Sequence, residues 1–168
     1  MRTFPCVLLL ALSLSGCAGY HIGSVKPRYL ADVQSIAVPT FHNKTFLPRI
    51  EVLATNTVIK QLQQDGTYRI RNEGDADAVL HATIEAVNRT PARSVRGNVL
   101  ATTEFNLTVR VIYTLEGRDG KRLAGPIGVI GDTSFFVGSD VTTEEQQALP
   151  LAVEELAVRM ASQLSEGW

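Results

Sequence analysis

The clearest pattern in the chain is an alternation of apolar and polar residues from Phe105 to Leu115. One set of alternate positions is apolar and comprises Phe105, Leu107, Val109, Val111, Tyr113 and Leu115. The other set is mostly polar and comprises Glu104, Asn106, Thr108, Arg110 and Thr114, with Ile112 as the one exception. Because successive side chains of a strand point to opposite faces, this run predicts a strand buried on one face and wet on the other.

Shorter runs predict further strands. The segment from Val79 to Val87 alternates, with Leu80, Ala82, Ile84 and Ala86 on one side. Other predicted strands lie from Gln34 to about Phe41, from Tyr68 to Arg71, and in a final segment that includes Val129, Thr133, Phe135 and Val137. Turn residues separate these runs at Asn43–Thr45, Glu73–Asp75 and Gly117–Gly120.

Two segments have helical spacing instead. Apolar residues recur every three or four positions between Pro48 and Asp65, and Gly66 follows as the expected left-handed cap. The last segment carries a stripe at Leu149, Val153, Leu156, Met160 and Leu164. Thr142 and Glu145 have capping-box spacing, so either Pro150 kinks one long helix or the main helix starts near Pro150.

The order of elements is strand, helix, strands, helix. It predicts an α+β fold in which two helices pack on one face of a mostly antiparallel, roughly four-stranded sheet.

The N-terminus has the layout of a secretory signal peptide over residues 1–16: Arg2, an apolar run from Val7 to Leu14, then small residues. Leu14–Cys17 resembles a bacterial lipobox, which implies cleavage before Cys17 and lipidation of its thiol and amine. Several acyl chains would hold the protein at a membrane almost permanently. Ala18, where some lipoproteins have Asp, implies export to the outer membrane. A secreted protein with a free cysteine is the alternative.

The predicted organisation is therefore a cleaved signal peptide (1–16), a lipidated N-terminus and tether (17–32), and one α+β domain (33–168). Cys6 lies in the peptide that is removed, so the mature chain cannot close an internal disulfide. A net charge of -1 and an apolar fraction of 45% are those of an ordinary globular protein. They give no basic field for nucleic acid.

Candidate chemistry is sparse. The three histidines, His21, His42 and His81, lack metal-ligand spacing, and the acidic segment Glu73–Asp77 lacks the ligand order of a calcium loop. No serine lies in a nucleophile elbow. The glycines between Gly117 and Gly131 do not form a phosphate loop and indicate turns and a bulge. The sequence therefore offers no catalytic motif, and it predicts no cofactor beyond the lipid on Cys17.

One basic cluster remains. Arg89, Arg93 and Arg96 lie in the predicted connection between the two long strands. The guanidinium group binds phosphate or carboxylate through two parallel hydrogen bonds, so the cluster is a candidate anion site. The alternative is a solvated loop without a ligand.

Several segments resemble the LptE family of lipopolysaccharide-assembly lipoproteins. Gly16–His21 is similar to the start of the mature family proteins, with Ala18 as an insertion. Ile36–Thr45 resembles a second family stretch, and Asp75–Leu80 resembles the start of the middle strand. The resemblance covers essentially the whole mature chain.

The resemblance implies a non-enzymatic protein that plugs and helps to assemble an LptD-like outer-membrane β-barrel, which delivers lipopolysaccharide to the outer leaflet. It implies an outer-membrane location on the periplasmic side, with lipopolysaccharide as a ligand. Arg96 falls at a turn where family members carry basic residues, while Asp140 and Glu144 occupy a second turn where a basic residue would be expected. Another lipid-anchored periplasmic adaptor, such as an activator of a cell-wall synthase, and a secreted enzyme are the alternatives.

Overall fold

A computed structural model describes residues 26–95, 98–136 and 140–167, and it places two α-helices on one face of a six-stranded sheet. A short 3-10 helix, Arg28–Leu30, precedes the first strand. The elements that follow are β1 (Ser35–Ala37), β2 (His42–Asn43), α1 (Ile50–Asp65), β3 (Arg69–Ile70), β4 (Ala78–Val95), β5 (Asn98–Gly117), β6 (Arg122–Phe136) and α2 (Val141–Glu166).

The sheet is mixed, so the predicted four-stranded, mostly antiparallel sheet is only partly right. Its strand order is β3-β1-β4-β5-β6, and β2 also pairs with β4. The pairs β1–β3, β1–β4 and β2–β4 are parallel, whereas β4–β5 and β5–β6 are antiparallel. The physical reason is that α1 forms a crossover between β1 and β3, and strands joined by a crossover run parallel.

The core lies between the sheet and the helices. The predicted inner face of β5 is confirmed, since all its apolar members from Leu107 to Leu115 are buried and Phe105 is half-buried. Arg110, on the predicted wet face, is exposed. Helix α1 is confirmed too, although it begins at Ile50 and not at Pro48, and it ends at Gly66 with the left-handed backbone expected there (φ 74°).

Helix α2 is continuous from Val141, with Pro150 inside it, so it does not start at Pro150. The sequence predicted Thr142 as the capping residue of α2, but the residue that caps this helix is Asp140. The Asp140 carboxylate accepts hydrogen bonds from the Thr142 amide (2.9 Å) and the Thr143 hydroxyl (2.6 Å), so the helix is capped two residues earlier than predicted. Neither described helix combines the length and apolarity needed to span a membrane.

Strand β4 is twice as long as the sequence predicted. The register shifts between Ile84 and Ala86. As a result, the pair Val87–Val109 lies on the same face of the sheet as the pair Ile84–Val111. This bulge breaks the alternation on which the prediction rested, and the strand continues to Val95. The prediction that Arg89 and Arg93 lie in a connection between two strands is therefore wrong, because both residues lie in β4.

The glycines of β6 are not all turns. Gly128 and Gly131 lie inside the strand, contrary to the predicted turns, whereas Gly120 lies in the β5–β6 turn. A Cβ atom on Gly131 would be 2.1 Å from the Ala152 carbonyl oxygen and 2.5 Å from the Leu156 Cβ. Gly131 therefore lets α2 pack directly on the backbone of β6.

The first described residues pack on the domain, although the sequence assigned them to a tether. Leu30 is fully buried, and the Lys26 ammonium lies 4.8 Å above the Tyr68 ring. The Tyr68 hydroxyl donates to the Leu164 carbonyl oxygen at 2.7 Å, and burial raises the pKa of Tyr68 to about 12. The chain thus enters the domain beside the C-terminal end of α2.

Candidate functional site

The candidate site is the part of the β4–β5 hairpin beyond Val87, which we call the arginine arm (residues 87–95 and 98–107). Arg89 lies on its helix-facing side because of the bulge near Glu85. Its guanidinium forms an ion pair with Glu145 in the first turns of α2 and lies 5.1 Å from the Phe105 ring centroid. The ion pair with Glu145 fastens the arm to α2, whereas the contact with Phe105 lies within the arm.

Arg93 occupies a different environment. It pairs in register with Glu104, and its Nε lies 3.8 Å from the Glu104 carboxylate. The side chain of Arg93 is 73% exposed. Glu104 belongs to the polar set of β5, so Arg93 lies on the open face of the sheet, away from the helices. The third arginine, Arg96, lies outside the described residues, as do Cys17 and His21.

The arm and the N-terminal entry of the chain lie at opposite ends of α2. Glu145, near the start of this helix, contacts the arm, whereas Gly167, which caps its other end, adjoins Pro27. About 22 residues of helix separate Glu145 from Gly167, which corresponds to ~33 Å. Arg89 and Arg93 are therefore far from the end where the chain enters the domain.

The open face of the sheet carries a shallow depression of about 250 Å³ with a mixed polar and apolar lining. It lies between the segment that contains Pro39 and His42 and the sheet residues His81 and Thr114. His81 is exposed, which confirms its predicted position on the wet face of the sheet. Its Nε2 lies 4.0 Å from the Glu116 carboxylate. Among the described residues, no group of three or more His, Cys, Asp or Glu side chains is arranged to hold a metal ion.

A second polar cluster, at the other end of the sheet, has a structural role. The Asp77 carboxylate accepts hydrogen bonds from the Ser35 hydroxyl (2.7 Å) and from the amides of Ser35 (3.0 Å) and Gln34 (3.1 Å). Arg118 lies 3.7 Å from its other oxygen. These contacts, with the hydroxyl of Ser35 first, lower the pKa of Asp77. The cluster ties β1 to the start of β4.

We expect Asp77→Asn to change the acid sensitivity of the fold. A lowered pKa means that the carboxylate stabilises the protein above its unfolded pKa of ~3.9, and that this contribution is lost as the pH falls through the lowered value. The thermal midpoint of the unaltered protein should therefore fall more steeply between about pH 5 and pH 3 than that of the variant. Asp75→Asn is the matched control and should keep the steep fall. Parallel pH curves for Asp77→Asn and the unaltered protein would contradict this role.

Sequence reasoning missed both partners that organise these clusters. Arg89 and Glu145 are 56 residues apart, and Asp77 and Ser35 are 42 residues apart. The sequence shows Arg89 as a charged residue close to the apolar positions that flank the bulge. Its position on the helix face could not be predicted from this, because the bulge itself was not predicted.

The chain matches a family model described as "LptE: Lipopolysaccharide-assembly" over residues 33–166. A search of curated proteins found no significant relative.

Solved structures share the fold at low sequence identity. A minor lipoprotein from Acinetobacter baumannii is 19% identical, with a TM-score of 0.57, covering 79% of this chain and 91% of that one. A PelC dodecamer from Paraburkholderia phytofirmans is 19% identical, with a TM-score of 0.54, covering 83% and 94%. An uncharacterised lipoprotein B from Nitrosomonas europaea is 9% identical, with a TM-score of 0.52, covering 78% and 79%. At these identities the likeness shows a common fold.

Proposed function

Because this chain belongs to the LptE family of lipopolysaccharide-assembly lipoproteins, which are non-enzymatic and cofactor-free, we propose that it plugs a β-barrel lipopolysaccharide translocon and helps to assemble it. It acts at the periplasmic side of the outer membrane, is anchored by lipid on Cys17, and assists the delivery of lipopolysaccharide to the outer leaflet.

The opposite placement of the chain entry and the arginine arm is the observation that carries the proposal. The eight residues between Cys17 and Lys26 let these two positions lie at most ~30 Å apart, so the entry end stays near the lipid anchor. The arm then lies about 33 Å further along α2. A domain that is held at one end and presents Arg89 and Arg93 at the other suits a plug that extends from the periplasmic leaflet into a barrel.

The open face of the sheet supports the same placement. Its central strand presents Asn106, Thr108, Arg110 and Thr114 on the side away from the helices. The lumen of a large outer-membrane barrel is polar and can hold a folded plug. A polar sheet face can therefore contact the lumen wall without exposing the apolar core, which lies beneath the helices.

Within this role, Arg93 and Arg96 are the proposed contacts for the phosphates or acidic sugars of lipopolysaccharide. The exposed guanidinium of Arg93 on the open face is accessible to a passing anion. Arg89 was predicted as a third ligand, but its ion pair with Glu145 and its contact with Phe105 favour a positioning role. Arg89 then sets the angle at which the arm leaves the domain.

The partner is tested by purifying the full, lipidated chain in mild detergent and identifying what co-purifies by mass spectrometry. An outer-membrane β-barrel in stoichiometric amounts supports the proposal. A cell-wall synthase in its place would refute the assembly role and favour the alternative adaptor function.

The double variant Arg93→Glu with Arg96→Glu is expected to weaken lipopolysaccharide binding by tens-fold or more. Charge-assisted hydrogen bonds contribute roughly 1.5–3 kcal/mol each, and every 1.4 kcal/mol is tenfold in affinity. The effect should shrink as salt is raised, because exposed charges are screened. Binding of lipopolysaccharide to the purified complex, measured at two salt concentrations, checks the expectation.

A matched control is Lys60→Glu with Arg71→Glu, which changes the net charge equally at exposed positions outside the arm. It should leave binding nearly unchanged. Both double variants should keep the thermal melt and the barrel complex. Equal losses of binding in the two would show that net charge, and not the arm, attracts the lipid.

A further inference from the structure

Strand β4 has a free edge along its second half. On the side opposite β5 it pairs with β1 at Ala78–Val79 and with β2 at Thr83–Ile84, where the Lys44 amide donates to the Ile84 carbonyl oxygen at 3.1 Å. Within the described ranges, no strand continues this pairing beyond Ile84. The residues from Asn88 to Arg93 are all exposed. Unpaired main-chain groups at such an edge are a template for another extended segment.

The loop at the foot of this edge is held in place by its own hydrogen bonds. The Asn43 side-chain amide donates to the Leu47 carbonyl oxygen (2.8 Å) and to the Glu51 carboxylate (2.9 Å). Its oxygen accepts from the Thr45 amide (2.8 Å), and the Thr45 hydroxyl accepts from the Leu47 amide (3.2 Å). The loop conformation is therefore fixed before any partner binds.

This ordered loop presents a fully exposed aromatic side chain, Phe46. Residues 44–47 and residues 85–87 of β4 line a depression of about 320 Å³ beside it. Large aromatic residues in preorganised positions are typical anchors of protein interfaces. Phe46 makes no contribution to the buried core, so its side chain is available for an external contact.

The other long edge of the sheet, along β6, is closed by a side chain. Arg159 of α2 donates to the Ile130 carbonyl oxygen at 2.7 Å and is held there by Asp132 (3.0 Å) and Glu155 (2.8 Å). A charged side chain on an edge carbonyl blocks strand addition at that point. The chain thus protects one edge and leaves the second half of β4 open.

We propose that the free edge of β4 binds an extended segment of the barrel partner as an added strand, with an apolar side chain of that segment packed on Phe46. This inference rests on the proposed function for the identity of the partner. The unpaired main-chain groups recognise a polypeptide in extended conformation, and the depression beside Phe46 selects an apolar residue at one position. An acyl chain has no donors or acceptors for these groups, and the hydroxyl groups of a sugar lack the regular alternation of donors and acceptors that a strand presents.

The orientation of the backbone determines which amide and carbonyl groups of β4 can form hydrogen bonds with the added strand. The Ile84 carbonyl points away from β5, since it accepts from the Lys44 amide. Val87 and Arg89, like Ile84, pair with odd-numbered residues of β5, so after the bulge they have the same backbone orientation as Ile84. Their amide and carbonyl groups therefore point to the free edge, since groups on alternate residues of a strand point the same way. Pro91 follows at the next such position, where its missing donor leaves no described strand without a hydrogen bond.

A second copy of the chain is a poor occupant of this edge. Antiparallel pairing of β4 with β4 would bring Arg89 and Arg93 of both copies together, and like charges directly opposite each other destabilise strand pairs. Pairing with β6 of another copy is opposed by Arg159, which already occupies the Ile130 carbonyl. A segment of a different protein avoids both obstacles.

The test compares the full lipidated chain alone with its purified barrel complex by hydrogen exchange. The amides of Val87 and Arg89 should exchange at least about tenfold more slowly in the complex. A photoreactive phenylalanine analogue at position 46 should cross-link to one segment of the barrel protein. The same analogue at the exposed position 158, on the outer side of α2, is the control for non-specific capture.

Phe46→Asp should weaken the complex by roughly tenfold or more without changing the thermal melt, whereas Val158→Asp should leave the complex intact. A barrel complex without slowed exchange at residues 87 and 89, or a cross-link from position 46 only to lipopolysaccharide or to a second copy, would overturn the inference and leave the proposed function standing. If no barrel protein co-purifies, the proposed function and the inference both fail.

Discussion

Gly131→Ala is expected to lower the free energy of unfolding by about 3 kcal/mol or more, a large effect for the addition of one methyl group. The new Cβ would lie 2.1 Å from the Ala152 carbonyl oxygen and 2.5 Å from the Leu156 amide nitrogen. Both are backbone atoms of α2, so no side-chain rotation can relieve the overlap. The helix must move away from β6, and the apolar stripe beneath it then loses its packing. Chemical denaturation followed by circular dichroism measures the loss.

Gly128→Ala is the matched control, because it makes the same chemical change three residues earlier in the same strand. A Cβ at Gly128 has no atom within 4 Å. Alanine also restricts the unfolded chain more than glycine does, so this variant should be neutral or more stable by about 0.5 kcal/mol. Equal destabilisation by both variants would mean that β6 disfavours alanine in general and that the close approach of α2 is not the cause.

The elements that local periodicity specifies could be predicted. The alternation in β5 assigned every buried residue from Leu107 to Leu115 to the correct face, because one side of that strand packs on helices and the other does not. Helix α1 and its Gly66 cap could be predicted for a similar reason, since the spacing and the cap residue are both local signals.

Where the structure departs from periodicity, the prediction was wrong. The bulge at Glu85 shifts the alternation by one residue, so the residues after it have the pattern of a loop although they continue β4. The arginines in that stretch strengthened the mistaken assignment. Strands β1 and β3 were predicted, but β2 and the parallel pairing of all three were not, because the pairing partner of a strand of two or three residues leaves no periodic trace in the sequence.

Of the candidate site, only the residue types could be predicted, and not their contacts. The sequence indicated a cluster of arginines but could not show that Arg89 is paired with Glu145 while Arg93 lies on the opposite face. Contacts between residues this far apart in the chain depend on the tertiary fold. The exposure of Phe46 was likewise hidden, because a single aromatic residue in a turn is indistinguishable in sequence from one that folds back on the core.

Val111→Asp is expected to abolish folding. Val111 is completely buried at the centre of the sheet, where it pairs with Ile84 on β4 and with Val129 on β6 beneath the helices. An unpaired carboxylate at this position costs several kcal/mol, which is comparable to the ~5–15 kcal/mol that stabilises a typical domain. We expect loss of the cooperative thermal transition, and the same result for Val109→Asp, one pair further along the inner face.

Arg110→Asp provides the sharpest control, because it introduces the same residue in the same strand between these two positions. Arg110 is exposed on the open face, so its carboxylate stays hydrated and the strand keeps its pairing with Ala86 and Ile130. The cost should be at most about 1 kcal/mol, from the low strand propensity of aspartate. A cooperative melt for Arg110→Asp beside none for Val111→Asp would establish that burial on the helix side, and not the strand itself, excludes the charge. Similar melts for the two variants would show that the inner face of β5 is open to water and that the two helices do not cover it.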